Sequence, residues 1–316
     1  MNANLINKEN QQINRKKLKT KENSDLYTSL PRLVMRYTIL IVVSFVMLYP
    51  LLWMIGNSFN ADMPSSFSFL PNNWTTEGWQ NAFKAPGWGS AEGYSIFRAL
   101  WNTLSYTIPN TIFTTITCLI TAYVVSRFNF KGKKLVFSII IATLLMPNTI
   151  FRIPLYAFWT SKTMSGLWEG SESAIRAYIP LWSGAMFAID SFSTFMFIQF
   201  FRTIPRDLDE AAYIDGANRM QILWHIFVPI LKPTIITVAL LKFISAFNDY
   251  QGPLIYNSSV KTQPLSLVLP QLGVDSINTY SMVYSRAIIA ALIPVIVFFI
   301  AQKYFMGSDT DSAIKG

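Results

Sequence analysis

From Tyr37 onward the chain alternates long apolar runs with short polar connectors. Tyr37 to Asn60 contains no charged residue, and neither does Ala99 to Ser126. Four further runs, at about 135–160, 177–201, 226–249 and 283–304, hold only scattered charges. A helix needs about 20 predominantly apolar residues to cross the hydrocarbon core of a bilayer, and each run supplies them. No strand-like alternation is visible along them. The pattern predicts an all-α integral membrane protein with six transmembrane helices, at about 37–59, 100–126, 135–160, 177–201, 226–249 and 283–304. Pro147 and Pro154 fall in the third, and Pro229 and Pro233 open the fifth. Such prolines are tolerated in spans where neighbouring groups satisfy the freed carbonyls.

The flanks are polar. Residues 1–33 include Arg15, Lys16, Lys17, Lys19 and Lys21 in one short block. Such a segment has too little apolar surface to fold, so a disordered tail is expected. A transmembrane domain, 34–305, and a short tail, 306–316, follow. The run at 37–59 reads as a first span rather than a secretory signal, because its polar leader is long and no clear small-residue cleavage site follows. Lysine and arginine placement sets the orientation. Eight of these residues fall in 1–36, four in 127–134, four in 202–232 and two in 303–316, all on one side. The loops on the other side hold Lys84, Arg98, Lys162, Arg176 and Lys261. Both ends are therefore expected in the cytoplasm.

Composition narrows the chemistry. Charged residues make up 14% of the chain, against about 25% in soluble domains. The net charge is +9, but the basic residues border apolar runs, which points to membrane lipid and not to nucleic acid. Cys118 is the sole cysteine and His225 the sole histidine, so an intrachain disulfide and a Cys or His metal cluster are excluded. No Gly-x-x-x-x-Gly-Lys-Ser/Thr phosphate loop occurs, and no nucleophile, base and orienting group form a recognisable constellation. Neither catalysis nor a cofactor or metal bound by this chain is expected.

The stretch "EAAYIDGANRMQILWHIFVP", Glu210 to Pro229, interrupts this apolar pattern between the fourth and fifth spans. Pro205 suits a first helical turn, and Asp207, Asp209 and Glu210 suit the positive end of a helix dipole. Ala211 and Ala212 are strong helix formers without bulk. Gly216 stands where a left-handed residue ends a helix, and Asn218 can cap the next one. The residues predict a helix, a sharp turn and a helix on the cytoplasmic side. Taken alone, they fit either an ordinary capped connector or a docking element, whose small residues permit close approach and whose Glu210 offers a charge.

The same stretch resembles the cytoplasmic signature of ATP-binding-cassette importer permeases: Glu-Ala-Ala, three residues, Gly, nine residues, Ile, one residue, Leu-Pro. Here Glu210-Ala211-Ala212, Gly216, Ile226 and Val228-Pro229 keep that spacing, with Val228 in place of leucine. "YVVSRFNFKGKK" (123–134), "TIPRDLDEAAYIDGA" (203–217), "FNDYQGPL" (247–254) and "FMGSDTDSAIKG" (305–316) resemble further blocks of the maltose-type carbohydrate permeases. Phe247 stands where that subset commonly has Trp, and Ser312 where it commonly has Gly.

The resemblance implies a multi-pass subunit of a prokaryotic plasma membrane with a cytoplasmic coupling helix between spans four and five. It implies a second homologous permease subunit as heterodimer partner and two ATP-binding-cassette ATPase subunits that hold ATP and Mg. It also implies an extracellular sugar-binding protein, reached through the loop 251–281. Glu210 would pair with a basic group or a helix end on an ATPase, with Ala211 and Ala212 permitting close packing. Asp215 and Gly216 would form the turn, and Ile226 and Pro229 would anchor the second helix. Apart from the resemblance, Arg152, Asp190, Lys242 and Asn248 are polar groups at the level of the spans and candidates to line the translocation path or to form a buried polar pair. Asp190 and Lys242 stand at comparable depth on consecutive spans and are expected to face each other or a shared polar cavity. Intramembrane charges of this kind keep an ion-coupled secondary transporter of a small polar solute open as an alternative, but no paired repeat is visible and the docking motif would be unexplained.

Overall fold

The computed structural model describes residues 30–62, 69–83, 95–147, 149–169, 174–257, 259–269 and 277–313. Most of the basic tail expected at 1–33 lies outside them. Among the described residues the regular elements are helical, apart from one isolated antiparallel bridge between Asn60 and Trp74. In chain order the main helices are α1 (Leu30–Asn57), α2 (Glu77–Ala82), α3 (Ile96–Arg127), α4 (Lys133–Leu145), α5 (Thr149–Trp159), α6 (Ile179–Met186) and α7 (Ser191–Thr203). They continue with α8 (Asp207–Ile214), α9 (Arg219–Ile230), α10 (Lys232–Phe247), α11 (Gln251–Tyr256), α12 (Leu265–Val268) and α13 (Ile277–Ala313).

Among the described residues, four stretches are long and apolar enough to cross a membrane: Pro31–Asn57, Ile96–Arg127, Ile179–Thr203 and Tyr280–Tyr304. Two bent pairs qualify if each is counted as one span, α4 with α5 at 102° and α9 with α10 at 80°. The expected third and fifth spans, 135–160 and 226–249, are thus not straight helices. Pro147 disfavours helical backbone at Met146, which is extended (ψ 136°). Pro233 has no N–H to offer the carbonyl of Pro229 and its ring crowds that carbonyl, so the chain turns at Leu231 (ψ 5°) before α10 begins. Ile226 and Pro229 lie in α9, the second helix of the corner, before that turn. The fourth span, 177–201, is also interrupted: α6 ends at Met186, Ala188 takes a left-handed φ of 53°, and α7 restarts at Ser191. At the end of the chain, the expected tail 306–316 begins as a continuation of α13, which runs to Ala313.

Helix α3 is the centre of the bundle, with α6, α7, α10 and α12 packed around it. Its charge-free stretch, Ala99 to Ser126, conceals a polar face. Asn102, Thr103, Thr107, Asn110, Thr111, Thr114 and Thr115 are buried and recur at helical spacing. Part of this face bonds backbone of neighbouring segments, while Thr111 and Thr115 donate to carbonyls of α3 itself. Asn102 Nδ2 donates to Lys261 O (2.9 Å) and Gln263 O (3.1 Å), and Thr103 Oγ1 accepts from Leu265 N (2.8 Å). Asn110 Nδ2 donates to Leu181 O (3.1 Å), and Thr117 Oγ1 donates to Ala185 O (2.8 Å) near the end of α6. An unsatisfied backbone group costs roughly several kcal/mol in hydrocarbon, and Thr117 supplies a donor to one such carbonyl, Ala185 O, near the end of α6.

Below this polar stretch α3 turns apolar. Cys118, Leu119, Ala122, Tyr123 and Val125 pack with Phe197, Ile198 and Phe201 of α7, with Ile222, Leu223 and Phe227 of α9, and with Val238 of α10. At the opposite end of the bundle, α2 is fastened to α13. A side chain at Gly78 would meet Ser281 Oγ at 2.5 Å, so glycine is what lets the two helices touch. Arg286, 1% exposed, donates from Nε to Ala82 O (3.2 Å) and from Nη2 to Asn81 O (3.3 Å). Its charge therefore meets the negative end of α2. Nearby, Trp79 Nε1 donates to Ser58 Oγ (3.1 Å) and its ring stacks on Phe59, while Trp74 is exposed.

Replacing Arg286 by methionine removes the donors from two buried carbonyls. Arg286→Met is expected to destabilise the detergent-solubilised protein by about 1–3 kcal/mol, with Arg286→Lys recovering part of the loss. Thermal unfolding measures this, and an unchanged midpoint for Arg286→Met would contradict the assigned role.

Candidate functional site

The stretch between α7 and α10 is built from local rules. Asp207 is the first residue of α8, after Arg206 at the N-cap, so Pro205 stands just outside the first turn and not within it. Asp207, Asp209 and Glu210 occupy the first turn, where the unpaired N–H groups favour negative charge. Gly216 takes φ 80°. Its N–H donates to Tyr213 O (3.1 Å), and Ala217 N–H donates to Ala212 O (3.0 Å), the paired bonds of a Schellman ending. Asn218 then caps α9 reciprocally: Oδ1 accepts from Gln221 N (2.9 Å), and Gln221 Oε1 accepts from Asn218 N (2.8 Å). Ile222–Phe227 is π-helical, and Pro229, which lacks an N–H, follows directly.

The exposed side of this corner presents Asp207, Glu210, Ala211, Tyr213 and Asp215. Leu208, Met220, Trp224 and Ile214, the last 86% exposed, add apolar surface. The sequence treats Ala211 and Ala212 alike, but the structure separates them. Ala211 is exposed, whereas Ala212 is buried against the core of α3, α7 and α9. Ala212 therefore permits close packing of α8 on its own bundle, one helical position round from the outward face.

Arg127, the last residue of α3, holds α8 from beneath. Its Nη1 lies 3.2 Å from Asp209 Oδ2, and Nη2 donates to Phe201 O and Ile204 O, each at 3.0 Å. The guanidinium stands 4.7 Å from the centre of the Phe227 ring. Burial pushes the Asp209 carboxyl above its usual range, against the opposing pull of Arg127 and Arg206. Beside it, Arg219 Nε donates to Tyr213 Oη (2.6 Å), its guanidinium lies over Phe128 (4.2 Å), and Tyr123 Oη donates to Arg219 O (3.0 Å). These groups border a cavity of about 350 Å³ that Arg206, Glu210 and Asn129 also line. The sequence marks Asp209 only as an acid of the first helical turn, and it does not single out Arg127. The available signal was a lone arginine ending a 28-residue charge-free run, Ala99 to Ser126.

Two further polar centres lie among the spans. Lys242 Nζ donates to Asp190 Oδ2 at 2.9 Å, with both side chains about one-fifth exposed. Asp190 is also the N-cap of α7, because Oδ1 accepts from Ser193 N (3.0 Å). Its carboxylate thus answers a cation and a helix N-terminus together at the break after Ala188. The second centre joins Arg152 Nη2 to Asp249 Oδ1 (3.7 Å), with Tyr106 Oη donating to Asp249 Oδ2 (3.1 Å) and Gly252 N to Oδ1 (3.1 Å). Asn248 has no place in it. Its side chain is exposed and donates to Ile244 O (3.0 Å), while its neighbour Asp249 makes the polar contacts. No group of three or more metal-ligating side chains occurs among the described residues.

This architecture has known counterparts. Residues 114–306 match the family model described as binding-protein-dependent transport system inner membrane component. The trehalose/maltose transport system permease protein MalG of Thermococcus litoralis is 29% identical over 279 residues, covering 87% of this chain and 94% of that protein. The diacetylchitobiose uptake system permease protein NgcG of Streptomyces coelicolor is 28% identical over 286 residues, covering 88% of each. Among solved structures, a chain of a bacterial ABC transporter involved in the import of the acidic polysaccharide alginate shares the fold, with a TM-score of 0.69 at 23% identity over 86% of this chain and 95% of that one. The matched residues span the region from the polar face of α3 through the α8 corner into α13, and the chain is a member of the binding-protein-dependent transport system inner membrane component family.

Proposed function

We propose that this protein is one of two permease subunits forming the path of an ATP-driven importer for a sugar or oligosaccharide. The observation that carries the reading is the α8 corner. Family membership comes with a short capped helix whose acidic and apolar side chains point away from the bundle while Ala212 and Asp209 tie it inward. In this reading each bent pair crosses the membrane once, giving six spans with both chain ends in the cytoplasm, and α8 is the coupling helix. Two partner ATPases bind ATP and Mg and receive α8. A second permease completes the path, and an extracellular binding protein delivers cargo to the far side, where the segment 251–281 lies. Carbohydrate as cargo follows from the relatives, whose names concern trehalose/maltose and diacetylchitobiose.

The ATPases would alternate between open and closed arrangements, and binding energy that differs between these states would turn the cavity. Glu210 and Asp207 offer charge to the ATPase surface, Ala211 and Ile214 offer close apolar contact, and Asp215 with Gly216 fixes the turn. The rims of the path would carry the Asp190–Lys242 and Arg152–Asp249 pairs.

Glu210→Lys reverses a charge facing the ATPase, an effect of about 2–5 kcal/mol at a partly buried interface. Gly216→Pro imposes φ near −65° and removes a donor at the Schellman turn. Both variants are expected to insert normally in the membrane and to lose most sugar uptake and transport-coupled ATP hydrolysis in the assembled importer. Normal uptake by both, or uptake that follows an ion gradient without the ATPases, would contradict the reading.

Asp190→Asn and Lys242→Met each strand a partner in the membrane and are expected to lower assembly or uptake. Combining them should be milder than the sum of the single effects, by about 0.5–3 kcal/mol. Strict additivity in this cycle would show that the pair does not act as a unit.

A further inference from the structure

Through its side chain, Arg127 joins its own helix to three other segments. Its backbone ends α3. Its guanidinium holds the two carbonyls Phe201 and Ile204 at the end of α7, meets Asp209 on α8, and lies on the Phe227 ring of α9. The side chain is only 6% exposed. A planar, always-charged fork is the side chain that can serve several acceptors and a ring face at once. Lysine has no such geometry. The other fastenings of α8 are of a different kind: Ala212 packs without polar contact, and Tyr213 reaches Arg219 at the exposed surface.

The node is poorly arranged for stability alone. Arg127 Nε and Asp209 Oδ1 are buried with no hydrogen-bond partner. Asp209 is also desolvated more than its cation compensates. Desolvated ion pairs of this sort contribute little net stability, while removing one member is strongly unfavourable. Such a pair fixes position more than it adds free energy.

We propose that Arg127 is the positioning residue that makes α8 and the adjoining ends of α3, α7 and α9 move as one body when the ATPases close. This rests on the functional reading above, in which α8 docks on an ATPase. The geometry assigns the transmission step to one guanidinium: displacement of Asp209 pulls on the Arg127 fork, and the fork pulls on the α7 carbonyls and the α9 ring.

The test uses the whole importer of permeases and ATPases in lipid nanodiscs, with spin labels at Leu208→Cys on α8 and Phe192→Cys on α7, both exposed, in a Cys118→Ser background. The label-to-label distance is measured before and after trapping with MgATP and vanadate. With Arg127 intact, the distance is expected to stay the same on trapping. In Arg127→Met and in Asp209→Asn it is expected to match the parent before trapping and to shift by about 2–5 Å, the scale of interface helix movements, after it. Arg127→Lys should shift as Arg127→Met does. A parent distance that changes on trapping overturns the proposal, as do variants that behave like the parent. A distance already altered before nucleotide is added marks a folding role and also overturns it. If Arg127→Met does not assemble, Asp209→Asn, which keeps the carbonyl and ring contacts, decides by the same criteria. Failure of the parent itself to bind the ATPases or trap nucleotide would instead remove the functional reading.

Discussion

A helix that breaks inside a bilayer leaves carbonyls and amides that hydrocarbon cannot satisfy, and this constraint organises the protein. The chain breaks at Met146, after Met186 and at Leu231. Helix α3 remains a single uninterrupted rod of 32 residues, and its Asn102, Thr103, Asn110 and Thr117 bond backbone at 261–265 and in α6. Asp190 answers another break with its own carboxylate, capping α7 and taking Lys242 on its second oxygen. Arg286 does the same for the short helix α2. Polar side chains in this bundle thus sit where backbone pairing stops.

The same economy appears at the α8 corner. Helix α7 ends at Thr203, and near that end the carbonyl of Phe201, left with one long backbone bond from Ile204 N (3.4 Å), and that of Ile204 can each take a further donor. Arg127 supplies both and uses its remaining reach for Asp209 and Phe227. The α8 corner is therefore bound to the frame by the solution to a backbone problem. Its outer face stays free for contact, because the Schellman ending and the capping box satisfy the turn from within.

Much of this was legible in the residues. Apolar run length locates the membrane-crossing regions, and the turn at Gly216 and the cap at Asn218 follow from their positions after an alanine-rich acidic helix. The breaks were less legible. Proline marks two of them, yet proline is also tolerated within straight spans, as Pro109 in α3 and Pro294 in α13 demonstrate. The break at 187–190 has no proline, and only the left-handed Ala188 and the capping by Asp190 define it. Which alanine faces inward depends on the roll of α8 against α3, a tertiary fact absent from local spacing. Asn248 and Asp249 are adjacent, and the helix end at Phe247 alone decides that the second reaches Tyr106. Arg127 was hidden because a lone basic residue at the end of a span ordinarily marks the membrane boundary.

The central claim is that the outward face of α8 lies against an ATPase subunit. Ile214 is its most exposed apolar residue, and a photoactivatable thiol reagent attached at Ile214→Cys, in a Cys118→Ser background, reads its neighbour directly in the assembled importer. The account predicts a covalent adduct with the ATPase subunit whose yield changes when MgATP and vanadate are added. An adduct with lipid or an extracellular protein, and none with the ATPase in a complex that hydrolyses ATP, would contradict it.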